Sequence, residues 1–183
     1  GSSAIQYKTA QASYQVSAGS FFQTNSFLID ELISIVVGER HGDSALDLYA
    51  GAGLFALPLS HRFKHVVAVE AAPASAQNLV ANAAHNINVV RQTTENYLAS
   101  AKFKRQEDDL IVVDPPRFGL GEAVTRLLGP LEAKQIVYVS CDPATLARDL
   151  KALGEHGWLI QELHLVDLFP QTFHLETVTV LTR

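Results

Sequence analysis

An α/β fold is predicted, built on a mostly parallel sheet with helices on both faces and closed at its C-terminus by an antiparallel hairpin. Three observations carry it. Short apolar, β-branched runs alternate with segments of helical period from residue 45 to residue 153. One of those runs leads straight into Gly51-Ala52-Gly53 and then into a helix, a turn that lets backbone approach a ligand over a helix N-terminus. The last two apolar runs, 158–168 and 177–181, are joined only by Phe169-Pro170-Gln171-Thr172-Phe173-His174-Leu175-Glu176. That link is too short for a parallel crossover, which needs about a dozen residues or more.

Taken in order, residues 5–17 mix alternating and polar positions, with Tyr14-Gln15-Val16 as a short strand ahead of the loop at 17–20. Phe27, Leu28, Leu32, Ile35 and Val36 recur at helical spacing, with Thr24 or Asn25 as the cap. Gln23, just before them, reads locally as a solvated loop residue. Residues 45–48 form a strand entering the glycine turn, and 66–69 a second strand ending in Glu70. Residues 74–86 are helical, 88–91 a third strand, and Thr94-Glu95-Asn96-Tyr97 the loop after it. Residues 110–113 make a fourth strand that runs into Asp114-Pro115-Pro116-Arg117, where two prolines stop the ladder. A helix near 122–131 precedes the strand at 136–139, and a further helix spans 144–153.

Between those last two elements lies the chain's single cysteine, in Ser140-Cys141-Asp142-Pro143. Asp142 caps the following helix and Pro143 occupies its first turn, where a missing N–H costs nothing. Cys141 therefore sits beside a helix N-terminus, which favours a thiolate, and beside Asp142, which opposes one. It is a candidate nucleophile; the alternative is a small buried hydrophobe.

Length and composition set outer bounds. A chain of 183 residues, 48% hydrophobic and 18% charged, is an ordinary globular domain with enough length for one core. One cysteine makes no internal disulfide, and no apolar run is long enough to span a bilayer. A cytoplasmic setting is the expectation. Gly1-Ser2-Ser3 and the absence of methionine read as a cloning scar on an excised piece, with 1–20 as a leading segment and 21–183 as the catalytic domain. A formal net charge of −5 argues against a strong stand-alone grip on nucleic acid. Arg117, Arg126 and Arg148 lie near the cysteine but read equally well as solvated charges.

Ligands of such sheets bind at the C-terminal ends of the strands. That rule gathers the Gly51–Gly53 turn, Glu70, Asn96, Asp114 and Cys141 along one edge. Glu70, about twenty residues beyond the glycine turn, is placed to accept hydrogen bonds from both ribose hydroxyls of a nucleoside cofactor.

From about Phe21 onward the chain resembles the catalytic domain of the S-adenosylmethionine-dependent RNA 5-methyluridine methyltransferases. The likeness rests on Phe22-Gln23-Thr24-Asn25, Asp47-Leu48-Tyr49-Ala50-Gly51-Ala52-Gly53, Val69-Glu70 and Asp114-Pro115-Pro116-Arg117. More specific are Ser140-Cys141-Asp142-Pro143-Ala144-Thr145-Leu146-Ala147-Arg148-Asp149 and the link 169–176. The resemblance implies a Rossmann-like class I methyltransferase fold and S-adenosyl-L-methionine as cofactor. It implies cofactor contacts from Gln23, Tyr49, Gly51, Gly53, Glu70, Asn96 and Asp114, with Cys141 as nucleophile, Glu176 as general base and no metal.

Carbon 5 of uracil is too weak a nucleophile to take a methyl group directly, and thiolate addition at carbon 6 activates it. A base must then remove the carbon 5 proton. Locally Glu176 also reads as a surface glutamate, and His174 as a competing base or a shaper of the loop. Leu54 stands where many members carry asparagine, and Asp142 replaces a frequent asparagine. The family's N-terminal RNA-binding parts, some of which hold an iron–sulfur cluster, have no counterpart here. The implied partner is a transfer or ribosomal RNA gripped mainly by parts outside the chain, with no membrane.

Three other readings share features with this one. Gly51-Ala52-Gly53-Leu54-Phe55-Ala56 with Glu70 also fits an NAD-dependent oxidoreductase. Asp114-Pro115-Pro116 fits an amino-group methyltransferase, which needs no cysteine. A catalytically degenerate domain supporting an RNA-binding partner would need neither Cys141 nor Glu176. The RNA 5-methylcytosine enzymes place a cysteine directly after the paired prolines, where this chain has Arg117.

Overall fold

A computed structural model describes residues 4–23, 25–100, 108–172 and 175–183. Seven strands form the main sheet in the order β5-β4-β3-β6-β7-β9-β8. They are β3 (Gly42–Leu48), β4 (Phe63–Val69), β5 (Ile87–Val90), β6 (Asp108–Val113), β7 (Ala133–Ser140), β8 (Leu159–Val166) and β9 (Glu176–Thr182). The first five run parallel, while β9 pairs antiparallel with both β7 and β8. The mostly parallel sheet and its terminal hairpin are as expected from the sequence.

Alternation along the central strands splits the apolar side chains between two cores. One face carries Ala45, Val66, Leu110, Val112, Val137 and Val139 against α1 (Ile29–Val37), α2 (Ala56–Ser60) and α3 (Pro73–Asn82). The other carries Leu46, Leu48, Ile111, Val113, Ile136 and Tyr138 against α4 (Thr94–Ala99), α5 (Gly121–Leu128) and α6 (Pro143–Gly154). Strands buried on both faces explain why these runs read as nearly continuous apolar stretches.

Two segments differ from the sequence expectation. The strand expected at 14–16 is β2 (Ser13–Ser17), and it pairs antiparallel with β1 (Ala4–Lys8), which the sequence did not reveal. This hairpin is packed into the protein: Tyr14 is fully buried, and its hydroxyl donates to the Leu54 carbonyl at 3.0 Å. Side-chain carbonyls of Asn82 and Asn78 on α3 accept the Gln15 and Ser17 N–H groups at 2.8 and 3.3 Å. The Leu54 departure from the family pattern thus falls at a buried side chain whose carbonyl anchors the hairpin.

The second difference is residues 94–97, expected as loop, which open helix α4. Thr93 caps it, its hydroxyl accepting the Asn96 N–H at 3.2 Å, and Leu98 docks the short helix on the core. At α1 the capping expectation holds in modified form. Asn25 Oδ1 accepts the Phe27 and Leu28 N–H groups at 3.0 and 3.3 Å, one turn ahead of the helix proper, and Thr24 lies outside the described residues. Among the described residues no helix is long and apolar enough to cross a membrane.

Candidate active site

The chain direction across the sheet reverses at β3, whose neighbours are β4 on one side and β6 on the other. Such a switch point opens a crevice beyond the strand ends. Tyr49 and the glycine turn follow β3, Glu70 follows β4, Asp114 follows β6 and Cys141 follows β7, all at that end of the sheet. The Asp114 N–H bonds to the Leu48 carbonyl at 3.3 Å, and the Ala50 N–H bonds to the Val69 carbonyl at 2.9 Å. Cavities of about 320 and 290 Å³ open elsewhere, at the strands' opposite ends around Asp108, Asp109 and Lys134. None of the candidate residues lines them.

At the β7 and β9 end, register does the positioning. Ser140 pairs with Thr177, so the next residues along the two antiparallel strands are Cys141 and Glu176. Glu176 is only 3% exposed, which overturns the surface-glutamate reading. Burial raises its carboxyl to about 7. His174, read from the sequence as a competing base or a shaper of the loop, lies outside the described residues.

Cys141 is partly buried, and its thiol is raised above the usual cysteine value, first by burial and then by Glu176 and Asp114, while Arg117 pulls it down. Asp142 caps α6 as expected, Oδ1 accepting the Thr145 N–H at 2.8 Å. That contact holds the Asp142 carboxyl below its ordinary value. The Ser140 hydroxyl closes the turn around the thiol, accepting the Asp142 N–H at 3.2 Å.

The glycine turn shows why its residues are what they are. Tyr49, Gly51 and Gly53 all adopt positive φ, of 66°, 57° and 97°. A β-carbon on Gly51 would meet nothing within 4 Å, whereas one on Gly53 would stand 2.6 Å from Leu57 and 2.9 Å from Leu79. Gly51 therefore presents bare backbone to open space and Gly53 allows the helix beneath to close up. Glu70 braces the turn, Oε2 accepting the Gly51 N–H at 2.8 Å and Oε1 the Ala72 N–H at 2.6 Å. A carboxylate has about four acceptor sites, so capacity for ribose hydroxyls remains.

Gln23 is 7% exposed rather than solvated, and its Oε1 is buried without a partner among the described residues. Beneath the turn, Asp47 is fully buried with neither carboxyl oxygen paired among the described residues. Burial raises it to about 8. Asp114 is raised well above its usual value by burial, by Glu176 and by Asp47. Asn96 differs from the rest, being exposed in the first turn of α4 rather than in a loop at a strand end. Asp47 is a residue of the glycine motif that the sequence reading leaves without a role. The signal was available, since a lone acid inside the apolar run Ala45-Leu46-Asp47-Leu48 is costly to bury. Unpaired buried acceptors at Gln23 and Asp47, with the open face of Gly51, fit a polar, cationic cofactor such as S-adenosylmethionine.

Known proteins resemble the chain over nearly all of its length. The family model described as tRNA (Uracil-5-)-methyltransferase matches residues 2–183. An RNA methyltransferase of Thermotoga maritima, described as uncharacterized, is 38% identical over 177 residues, covering 93% of this chain and 40% of its own. One from Streptomyces avermitilis, described likewise, is 41% identical over 175 residues, covering 92% and 40%. The chain thus spans about two-fifths of the length of these curated relatives. Among solved structures, the tRNA (uracil-54, C5)-methyltransferase of Pyrococcus abyssi in complex with S-adenosyl-L-homocysteine superposes with a TM-score of 0.86 and 30% identity. The match covers all of this chain and 45% of that one. Because that family model spans residues 2–183, nearly the whole chain, the chain belongs to the tRNA (uracil-5-)-methyltransferase family.

Proposed function

We propose that the chain is the catalytic part of an enzyme that moves a methyl group from S-adenosylmethionine to carbon 5 of a uridine in a transfer or ribosomal RNA. The observation that carries this reading is the β7–β9 register, which sets the chain's single cysteine beside a buried glutamate. S-adenosylmethionine, when bound, supplies an electrophilic methyl group. The backbone of Gly51 and Gly53 gives it room, Glu70 takes the ribose hydroxyls, and Gln23, Tyr49, Asn96 and Asp114 supply the remaining contacts.

Cys141 Sγ, as thiolate, bonds to carbon 6 of the uracil, and the electron pair of the 5,6 double bond moves onto the ring as an enolate. Carbon 5 then takes up the methyl group. Glu176 carboxylate removes the carbon 5 proton, the 5,6 double bond re-forms, and the thiolate leaves. A carboxyl at about 7 is suited to this, being available as a base near neutrality yet strong enough to hold a proton. The acidic balance of the chain assigns most of the grip on RNA to the further length that its relatives possess.

The test uses RNA carrying 5-fluorouridine, whose fluorine cannot leave as the proton does. Mixed with S-adenosylmethionine, it should give a cofactor-dependent covalent adduct by intact mass that Cys141→Ala abolishes. A protein shown to bind both cofactor and RNA, yet forming no adduct, would overturn the reading.

A further inference from the structure

Outside the reacting groups, one buried network has no part in the chemistry described above. Asp149 on α6 is 1% exposed. Its Oδ2 accepts the Tyr138 hydroxyl and the Leu120 N–H, both at 2.7 Å, and its Oδ1 accepts Nε of Arg148 at 2.9 Å. Arg148 also donates to the Phe118 carbonyl at 2.8 Å, and the Thr145 hydroxyl donates to the Arg117 carbonyl at 3.1 Å. Gly119, at φ 74°, lies so close that a β-carbon there would be 2.4 Å from Asp149 Oδ2.

The partners fall into a pattern. Tyr138 lies before Cys141 on β7, and Thr145, Arg148 and Asp149 lie after it on α6. All three contacts from α6 to the other side end on the backbone of one loop, residues 117–120, which follows Asp114-Pro115-Pro116. A buried carboxylate accepting this many bonds is costly to disturb, and it defines one arrangement.

We propose that Asp149, seated by Tyr138 and Arg148, is a positioning residue that locks the 117–120 loop to the two elements flanking Cys141 and so sets where Arg117 stands relative to the thiol. The inference rests on the reading of Cys141 as nucleophile. The charged groups acting on the thiol are Glu176 from β9 and Asp114 and Arg117 from the loop after β6, while Asp142, next in the chain, caps α6. Of those named as acting on the thiol, Arg117 is the one that favours the thiolate. It also lowers Asp142, which places its charge at the start of α6. Thiolate character therefore depends on a side chain whose own backbone is held from α6.

Because Cys141 is the single cysteine, the pH dependence of iodoacetamide alkylation reads its thiol directly. The experiment is a double-mutant cycle of Asp149→Asn and Arg117→Met, with each variant checked for unfolding temperature. Arg117→Met should slow alkylation at pH 7.5 by about threefold to tenfold, a shift of roughly half to one pKa unit. Asp149→Asn should change the alkylation profile when Arg117 is present and have a different, smaller effect when it is not, since residues in one network are non-additive.

Tyr138→Phe removes one bond to Asp149 and supplies the same cycle if Asp149→Asn does not fold. A folded variant with an unchanged profile, or with the same change whether or not Arg117 is present, overturns the proposal. Failure of the methyltransferase reading is separate: it would show as no 5-fluorouridine adduct in the unsubstituted protein, whatever the cycle gives.

Discussion

Cys141 and Glu176 meet because two strands end together, and their titration follows from where they meet. Each is raised by burial, and Glu176 further raises the thiol. Activity should therefore rise with pH through about 7, as Glu176 becomes available as base. It should keep rising towards the thiol's own range, above the ordinary cysteine value of about 8.5. A pH–rate profile checks this, and a plateau already reached at pH 6 would contradict it. Substituting the base separates the two halves of the reaction. Glu176→Gln leaves Cys141 able to add and carbon 5 able to accept the methyl group, but nothing removes the proton. Turnover should fall by roughly a hundredfold to ten-thousandfold, and a methylated covalent adduct should accumulate on ordinary uridine RNA, visible by intact mass. Loss of turnover with no such adduct would assign Glu176 an earlier role.

The element that forms the proposed cofactor end is the turn between β3 and α2, where two glycines serve different purposes. Gly51→Ala should cost about 1 kcal/mol of stability, because an L-residue in the left-handed region pays roughly that much and its methyl meets no protein atom. Its methyl projects into the open space before the turn, so S-adenosylmethionine binding, read by calorimetry, should weaken more than tenfold. Gly53→Ala drives a methyl into Leu57 and Leu79 and should lose several kcal/mol of stability along with binding. Equal stability losses for both would contradict this division. At the same scale the sequence was legible where both faces of an element are buried, as in β3, β4, β6 and β7, whose apolar runs mark them directly. It was silent on β1, whose mixed burial leaves no apolar run and whose partner β2 is itself seated on α3, and it misread 94–97, where the capping bond from Thr93 outweighs a polar composition. The candidate site was legible through its motifs, while the burial of Gln23 and Glu176 was not. Both look like surface residues until the packing of distant strands and helices removes them from water.

Across the whole molecule, burial raises several acids, Asp47, Asp114 and Glu176 around the candidate site and Asp108 at the opposite end of the sheet. Asp47 is raised from an ordinary carboxyl value of 3.8 to about 8, Glu176 from 4.5 to about 7, Asp108 from 3.8 to about 6, and Asp114 well above 3.8. A carboxyl raised on folding binds more protons in the native state than in the unfolded chain between those two values. Stability then falls as pH rises through that window. The contribution is whole below about pH 4 and is lost progressively towards pH 8, as each acid must ionise inside the protein. The protein without cofactor should therefore unfold at a higher temperature at pH 5 than at pH 8. The difference should be on the order of a few kcal/mol, or roughly 5 to 15 °C for a chain of this length. Asp47→Asn tests the acid raised to about 8, since an amide of nearly the same shape has no proton to lose. It should leave stability near pH 5 almost unchanged, raise the unfolding temperature at pH 8, and flatten the slope between them. A variant with the slope of the unsubstituted protein would show that Asp47 is not where the pH dependence originates. A flattened slope would tie the pH dependence of the sheet's stability to one acid beneath the glycine turn, whose ionisation burial opposes.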